Sequence, residues 1–205
     1  LTKSTSKKLN DNEVIDLYLE TQSQEYFSIL YSRYSSKVYS RCLSLLKNEA
    51  TAADASQDIF MKIFLNLAKF NQKSRFSTWV YSITYNYCID NIRRKKKEKT
   101  VLTDEERQIE DVQDEVSDKE LFEIELERIK EIMERIPAED KAVLTMKYQE
   151  GLSIKDIGII INKSESATKM KLKRAKHKVR TTYLENFKDK YASILFISFL
   201  LNLLA

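Results

Sequence analysis

Between Asp54 and Phe70, in "DASQDIFMKIFLNLAKF", Ile59, Phe60, Ile63, Phe64 and Leu67 recur at the three- and four-residue spacing of a helix with one buried face. Asp54, Gln57, Asp58, Met61 and Lys62 fall on the other face, which is polar but mixed in sign. Upstream, Phe27, Leu30, Tyr34, Val38, Leu45 and Leu46 repeat the pattern. Downstream, "RFSTWVYSITYNYCIDNIRRKKK" is rich in aromatics and closes in a cationic run, Arg93–Lys97. Phe76, Trp79 and Ile83 are expected in the core. Tyr81, Tyr85, Arg93 and Arg94 are expected to face nucleic acid, because rings beside cations grip single strands by stacking and charge. Asn86 and Asp90, four apart, are either a structural hydrogen-bonding pair or a DNA-facing pair.

The second half is punctuated differently. Pro137 marks the first turn of a helix, and Glu139 and Asp140 suit the positive end of its dipole. Gly151 is placed to end that segment in a left-handed conformation. Ser153 and Asp156 form a capping-box-like start to the next, whose stripe is Ile154, Ile157 and Ile161. Asn162 tolerates the following turn, and Ser164 suits the N-cap of a third helix. The turn is three or four residues long, the length found in a helix-turn-helix. Gly158 lacks a side chain where the two helices must cross closely.

That third helix, "SESATKMKLKRAKHKVR", has a seam of Thr168, Leu172, Ala175 and Val179. Its opposite face holds Ser166, Lys169, Met170, Lys173, Arg174 and the only His of the chain, His177. Solvated helices usually mix their charges; this face does not, so it is expected to meet a polyanion. In the recognition position of a helix-turn-helix, Lys169, Lys173 and Arg174 reach guanine acceptors or phosphates and Met170 a thymine methyl. Lys171, Lys176 and Lys178, toward the flanks, read as phosphate contacts.

Composition narrows this further. Two Gly and one Pro in 205 residues leave little scope for hairpins. The fold class expected is all-α, two small helical domains (12–97 and 121–190) joined by a linker at 98–120 that holds Glu98, Asp104, Glu105, Glu106, Glu110, Asp111, Asp114, Glu115, Asp118 and Glu120. Cys42 and Cys88 are far apart in sequence, with no CxxC, which argues against a zinc site or a disulfide framework and fits a reducing, cytoplasmic compartment. No secretory signal is visible, and the chain begins at Leu1, which leaves the completeness of the N-terminus open. The tail "YASILFISFLLNLLA", Tyr191 to Ala205, is uncharged. As a helix it would span roughly 22 Å, short of the roughly 30 Å needed to cross a bilayer. It is expected to pack on the second domain, mask its DNA-binding face, or contact a partner or membrane surface.

Three motifs in this order, "DASQDIFMKIF", "FSTWVYSITYNYCIDNIRRKKK" and "LSIKDIGIIINKSESATKMKLKRAK", resemble the extracytoplasmic-function group of bacterial sigma-70-type factors. The resemblance covers residues from about 24 to 184 and implies roles. Asp54, Gln57, Asp58, Met61 and Lys62 would dock on the β′ clamp helices of core RNA polymerase. Asn71, Lys73, Arg75, Tyr81, Tyr85, Asn86, Asp90, Arg93 and Arg94 would capture and open the −10 promoter element, the loop Asn71 to Arg75 holding a flipped non-template base. Ser166, Lys169, Met170, Lys171, Lys173, Arg174 and His177 would read the −35 element, in a domain that also contacts the β flap. The acidic linker would pass through the polymerase channels. An anti-sigma factor is the further partner implied, and no cofactor, metal or catalytic residue is. Ser166 and Ala167 stand where the family often has Gly-Thr, and Lys171 and Lys173 where Arg and His are common, which suggests a different −35 sequence. Gly158 replaces a usual Ala.

Two other readings compete. A one-component helix-turn-helix regulator would bind duplex DNA alone but gives no reason for the Asp54–Lys62 face. A nuclease would need a carboxylate cluster for metal or a His-based site, whereas the acids here fall in a linker and at helix ends. The promoter, the inducing signal and the identity of any anti-sigma factor are not legible in the sequence.

Overall fold

A computed structural model describes the backbone of residues 9–99 and 118–187, and the side chains of 9–97 and 127–187. Every regular element among the described residues is helical. Most of the acidic linker, and the apolar tail from Tyr191, lie outside the described residues.

The first unit holds α1 (Asp11–Thr21), α2 (Gln24–Leu46), α3 (Glu49–Asn66) and α4 (Phe76–Lys99), together with Lys155–Glu165. Helix α1 starts on a capping box: Asn10 Oδ1 accepts from Glu13 N–H at 3.0 Å, and Asn10 N–H donates to Glu13 Oε2 at 2.6 Å. Its buried residues, Val14, Ile15 and Tyr18, keep the i, i+1, i+4 spacing of an inward face. Arg33 on α2 ties the same end down, donating to Asp11 Oδ1 at 2.7 Å and to the Leu9 carbonyl at 2.6 Å, and the Tyr34 hydroxyl also donates to Asp11. Burial and that hydrogen bond raise the Tyr34 phenol well above its usual range. Leu30, Tyr34, Val38, Cys42 and Leu45 of α2 meet Ala52, Ala55, Ile59, Phe60 and Ile63 of α3 in the core.

Phe64, Trp79 and Ile83 depart from the sequence expectation. Phe64 is 41% exposed, at the edge of the apolar face, with its ring 5.0 Å from that of Phe27. Phe76 is buried as expected, but Trp79 and Ile83 are only half-buried. Cys42 and Cys88, distant in sequence, are free thiols in the core with their sulfurs 3.7 Å apart. The hydrogen bond that Cys88 donates to Cys42, together with burial, pushes the Cys88 thiol up. By its contacts, Lys155–Glu165 groups with the first unit, where Thr78 Oγ1 donates to Asp156 Oδ1 at 3.3 Å.

The second unit contains α5 (Asp118–Arg135), α6 (Ala138–Leu144) and α8 (Glu165–Asn186), the last of these from Ser166 onward; α7 (Ile154–Ile161) falls almost wholly in the segment of the first unit just named. Helix α6 widens into a π turn at Thr145–Gln149, where Glu150 N–H donates to the Thr145 carbonyl at 3.0 Å. Gly151 then takes φ 66 in open space, so the backbone conformation, not crowding, calls for glycine there. Asn162 takes φ 53 after α7. Its own N–H reaches the Ile159 carbonyl and the Lys163 N–H reaches the Gly158 carbonyl at 2.9 Å, the paired bonds of a Schellman cap. Both turns fall where the sequence puts them.

Candidate nucleic-acid and protein interfaces

Helix α8 carries its functional face because its other face is fixed. Thr168, Leu172, Ala175 and Tyr183 are buried, and Val179 is half-buried. Ser166, Lys169, Met170, Lys173, Arg174 and His177 are all exposed, Met170 by 47%. The face read from sequence is therefore present as one continuous surface.

Lys171 does not belong to it. Its ammonium lies 3.2 Å from Asp140 Oδ1 and 3.4 Å from Glu139 Oε2, and Lys178 donates to Asp140 Oδ2 at 2.5 Å. Asp140 is 4% exposed. Burial alone would raise its carboxyl, but the hydrogen bonds from Lys178 and Lys171 outweigh burial and hold it below its ordinary value. Lys176 sits over the Tyr148 ring at 5.1 Å. The flanking lysines read as phosphate contacts are thus engaged by the protein itself. The physical reason is that a buried carboxylate on α6 requires counter-charge, and the inner flank of α8 supplies it. Asp140 is the residue that sequence reasoning undervalued. Its place in the first turn of α6 signals a dipole role, and nothing in the linear order couples it to Lys171 and Lys178.

On α3, Asp54, Gln57, Asp58, Met61 and Lys62 are exposed together on one face, Met61 by 59%. Leu65, one turn on, is 67% exposed and extends the face with apolar surface. Tyr87 of α4 organises part of it. The Tyr87 hydroxyl donates to Asp58 Oδ2 at 2.5 Å, and Lys62 Nζ lies 4.6 Å from the Tyr87 ring centre. The hydrogen bond to Asp58, with burial second, pushes the Tyr87 phenol up to about 12. Tyr87 is visible in the sequence as one aromatic among several, but its contact across two helices is not.

The residues attributed to −10 capture divide. Asn71, Lys73 and Arg75 are exposed on the loop between the Leu67–Lys69 turn and α4. Asn86, Asp90, Arg93 and Arg94 are exposed at i, i+4, i+7 and i+8 of α4 and share one face. Asp90 pairs with Arg93 at 3.6 Å. Tyr81 and Tyr85 are 4% and 5% exposed, so the expectation that they face nucleic acid is corrected. They lie on the inward side of α4 with Thr84, Cys88 and Ile89, and the Arg41 guanidinium covers the Tyr81 ring at 3.7 Å. Among the described residues, no group of three or more His, Cys, Asp or Glu side chains could hold a metal ion, and no helix is long and apolar enough to cross a membrane.

The sequence matches the family model for sigma-70 region 2 at residues 30–98 and that for sigma-70 region 4 at residues 126–179. It is 31% identical over 169 residues to the ECF RNA polymerase sigma factor SigW of Bacillus subtilis, a match covering 77% of this chain and 88% of that protein. It is 26% identical to the ECF RNA polymerase sigma-E factor of Haemophilus influenzae, over 85% of this chain and 95% of that protein. The fold is similar to that of CnrH in its complex with the cytosolic domain of CnrY, with a TM-score of 0.58 at 18% identity over 84% of this chain and 96% of that one. It is also similar to RpoE in complex with the anti-sigma factor NepR from Bartonella quintana, with a TM-score of 0.56 at 18% identity over 80% and 98% of the two chains. The two regions, in this order and with a relative matched over most of both lengths, establish that this chain belongs to the ECF group of sigma-70-type RNA polymerase sigma factors.

Proposed function

We propose that this sigma factor divides its work among three surfaces. The α3 face of Asp54, Gln57, Asp58, Met61 and Lys62 docks on the β′ clamp helices of core RNA polymerase. The loop Asn71–Arg75 and the α4 face of Asn86, Asp90, Arg93 and Arg94 take up the −10 element as it opens. The α8 face of Ser166, Lys169, Met170, Lys173, Arg174 and His177 reads the −35 element in the major groove. The observation that carries this reading is the α8 face: cations, a methionine and the only histidine of the chain, all exposed opposite a buried seam. Phosphate attraction supplies affinity, and the side chains nearest the helix N-terminus supply sequence choice. The acidic linker fits a path through the polymerase channels. An anti-sigma factor is a fitting regulator, since RpoE, similar in fold, is seen bound to the anti-sigma factor NepR. A cytoplasmic location fits work beside the polymerase.

Run-off transcription reconstituted with core polymerase tests the reading. Promoter-dependent transcripts are expected only when the chain is added. Asp58→Lys, which puts a cation on the α3 face, is expected to lower core affinity by roughly tenfold, with circular dichroism unchanged. Duplex binding by the chain alone, with no transcripts and no core affinity, would instead support a one-component regulator.

A further inference from the structure

The Asn71–Arg75 loop is pinned at both ends. Phe70 and Phe76 are 7% and 3% exposed, their rings meet at 5.3 Å, and Trp79 packs against both. Within the loop, Lys73 N–H donates to Asn71 Oδ1 at 3.2 Å. Gln72 has φ 56, in the left-handed region that residues with a Cβ enter at a cost. Among the described residues, the other non-glycine positions in that region are Gln22, Lys47 and Asn162. Each follows a helix, where the left-handed turn lets a backbone N–H satisfy an end carbonyl. Gln72 ends no α-helix. Its side chain instead reaches out of the loop: Nε2 donates to Asp16 Oδ1 at 3.1 Å.

Asp16 is well placed to act as a fixed post. It is exposed on α1, between the buried pair Val14 and Ile15 and the buried Tyr18. The capping box and the Arg33–Asp11 ion pair anchor the start of the same helix. Helix α1 lies ahead of the region 2 match, which begins at residue 30. A carboxylate next to a loop bearing Lys73 and Arg75 repels phosphate, so its charge is unsuited to touching DNA. Its hydrogen bond suits holding the loop backbone.

We propose that Asp16 is a positioning residue for −10 recognition: through Gln72 it sets the shape of the base-holding loop and so the choice of base held there, which makes α1 part of the −10 reader. This rests on the reading that Asn71–Arg75 holds a flipped base. The test uses the full chain with core polymerase and fluorescent single-stranded oligonucleotides carrying the non-template −10 strand, with all four bases scanned at each position. The readout is the ratio of best to worst base, not affinity itself.

Asp16→Ala is expected to lower that ratio roughly 3- to 10-fold at one position, the scale of a lost hydrogen bond. Gln72→Met is expected to do the same. Asp16→Asn keeps an oxygen acceptor without the charge, and is expected to hold the ratio within about twofold while overall affinity rises. Equal losses in Asp16→Ala and Asp16→Asn would mean that charge governs, and would overturn the proposal. So would unchanged ratios in both Asp16→Ala and Gln72→Met. Lys73→Ala with Arg75→Ala separates the two levels. If that pair lowers the ratio while Asp16→Ala does not, only the role of Asp16 falls. If neither moves it, the loop is not the reader and both readings fall.

Discussion

Helices α4 and α8 make an instructive pair. Each carries a run of cations and each is expected to present specific side chains to DNA, yet on α8 all of those side chains but Lys171 are exposed on one face, whereas on α4 Tyr81 and Tyr85 are buried. Helix α8 has a single narrow seam, Thr168, Leu172 and Ala175, so its opposite face follows by elimination. Helix α4 is enclosed over a much broader arc, with Phe76, Thr78, Val80, Tyr81, Thr84, Tyr85, Cys88 and Ile89 all buried. Where burial spreads over most of a helix, its period no longer says which aromatic rings point inward. Tyrosine adds to the ambiguity, because an apolar ring with a polar tip suits a core edge as well as a base stack. The lesson is that charge on one side of a clean seam is a safer sign of a binding face than aromatics within a thick apolar band.

The largest effect expected is on α4. Tyr81→Ala removes a buried ring and its stack under Arg41, and is expected to destabilise the first unit by about 3 kcal/mol, measured by urea denaturation. Unchanged stability with weakened single-strand binding would restore Tyr81 to the DNA-facing set and erase the contrast between the helices.

Next comes the anchor of α8. Asp140→Ala leaves Lys171 and Lys178 facing a site without its carboxylate. Breaking a fully buried pair costs about 3–5 kcal/mol, and the partial exposure of both lysines lowers the expected loss to about 2 kcal/mol. The pH dependence follows from the same group. Its carboxyl is held below the ordinary 3.8, so its contribution is complete above that value and is lost as pH falls through the lower folded-state pKa. Acid melts of the wild type are expected to steepen in that range, and those of Asp140→Asn to lack this component. Identical acid profiles would show that Asp140 does not anchor the helix.

The smallest effects sharpen the division within α8 itself. Lys169→Ala is expected to cost roughly 1–3 kcal/mol of discrimination at one −35 base pair. Lys171→Ala is expected to lower stability by about 1 kcal/mol and leave base preference alone. A promoter library transcribed with each variant, alongside thermal melts, separates them. If Lys171→Ala instead weakens every promoter alike with no change in melting, its ammonium is a phosphate contact after all.

Much of this molecule is determined by local sequence. The left-handed turns at Gly151 and Asn162, the seam of α8 and the exposed face Asp54–Lys62 all follow from side-chain period and backbone preference within a few residues, and the structure has each of them. What only the tertiary structure decided are the pairings that cross from one element to another. Asp140 claims Lys171 and Lys178, Tyr87 reaches Asp58, Arg41 covers Tyr81, Cys42 meets Cys88, and Asp16 takes the amide of Gln72. Each partner lies tens of residues away along the chain, and helical period fixes which face a side chain is on without fixing what stands opposite. A lysine on a flank can therefore serve a phosphate or a buried carboxylate equally well by sequence, and only the packing of α6 beside α8 settles which.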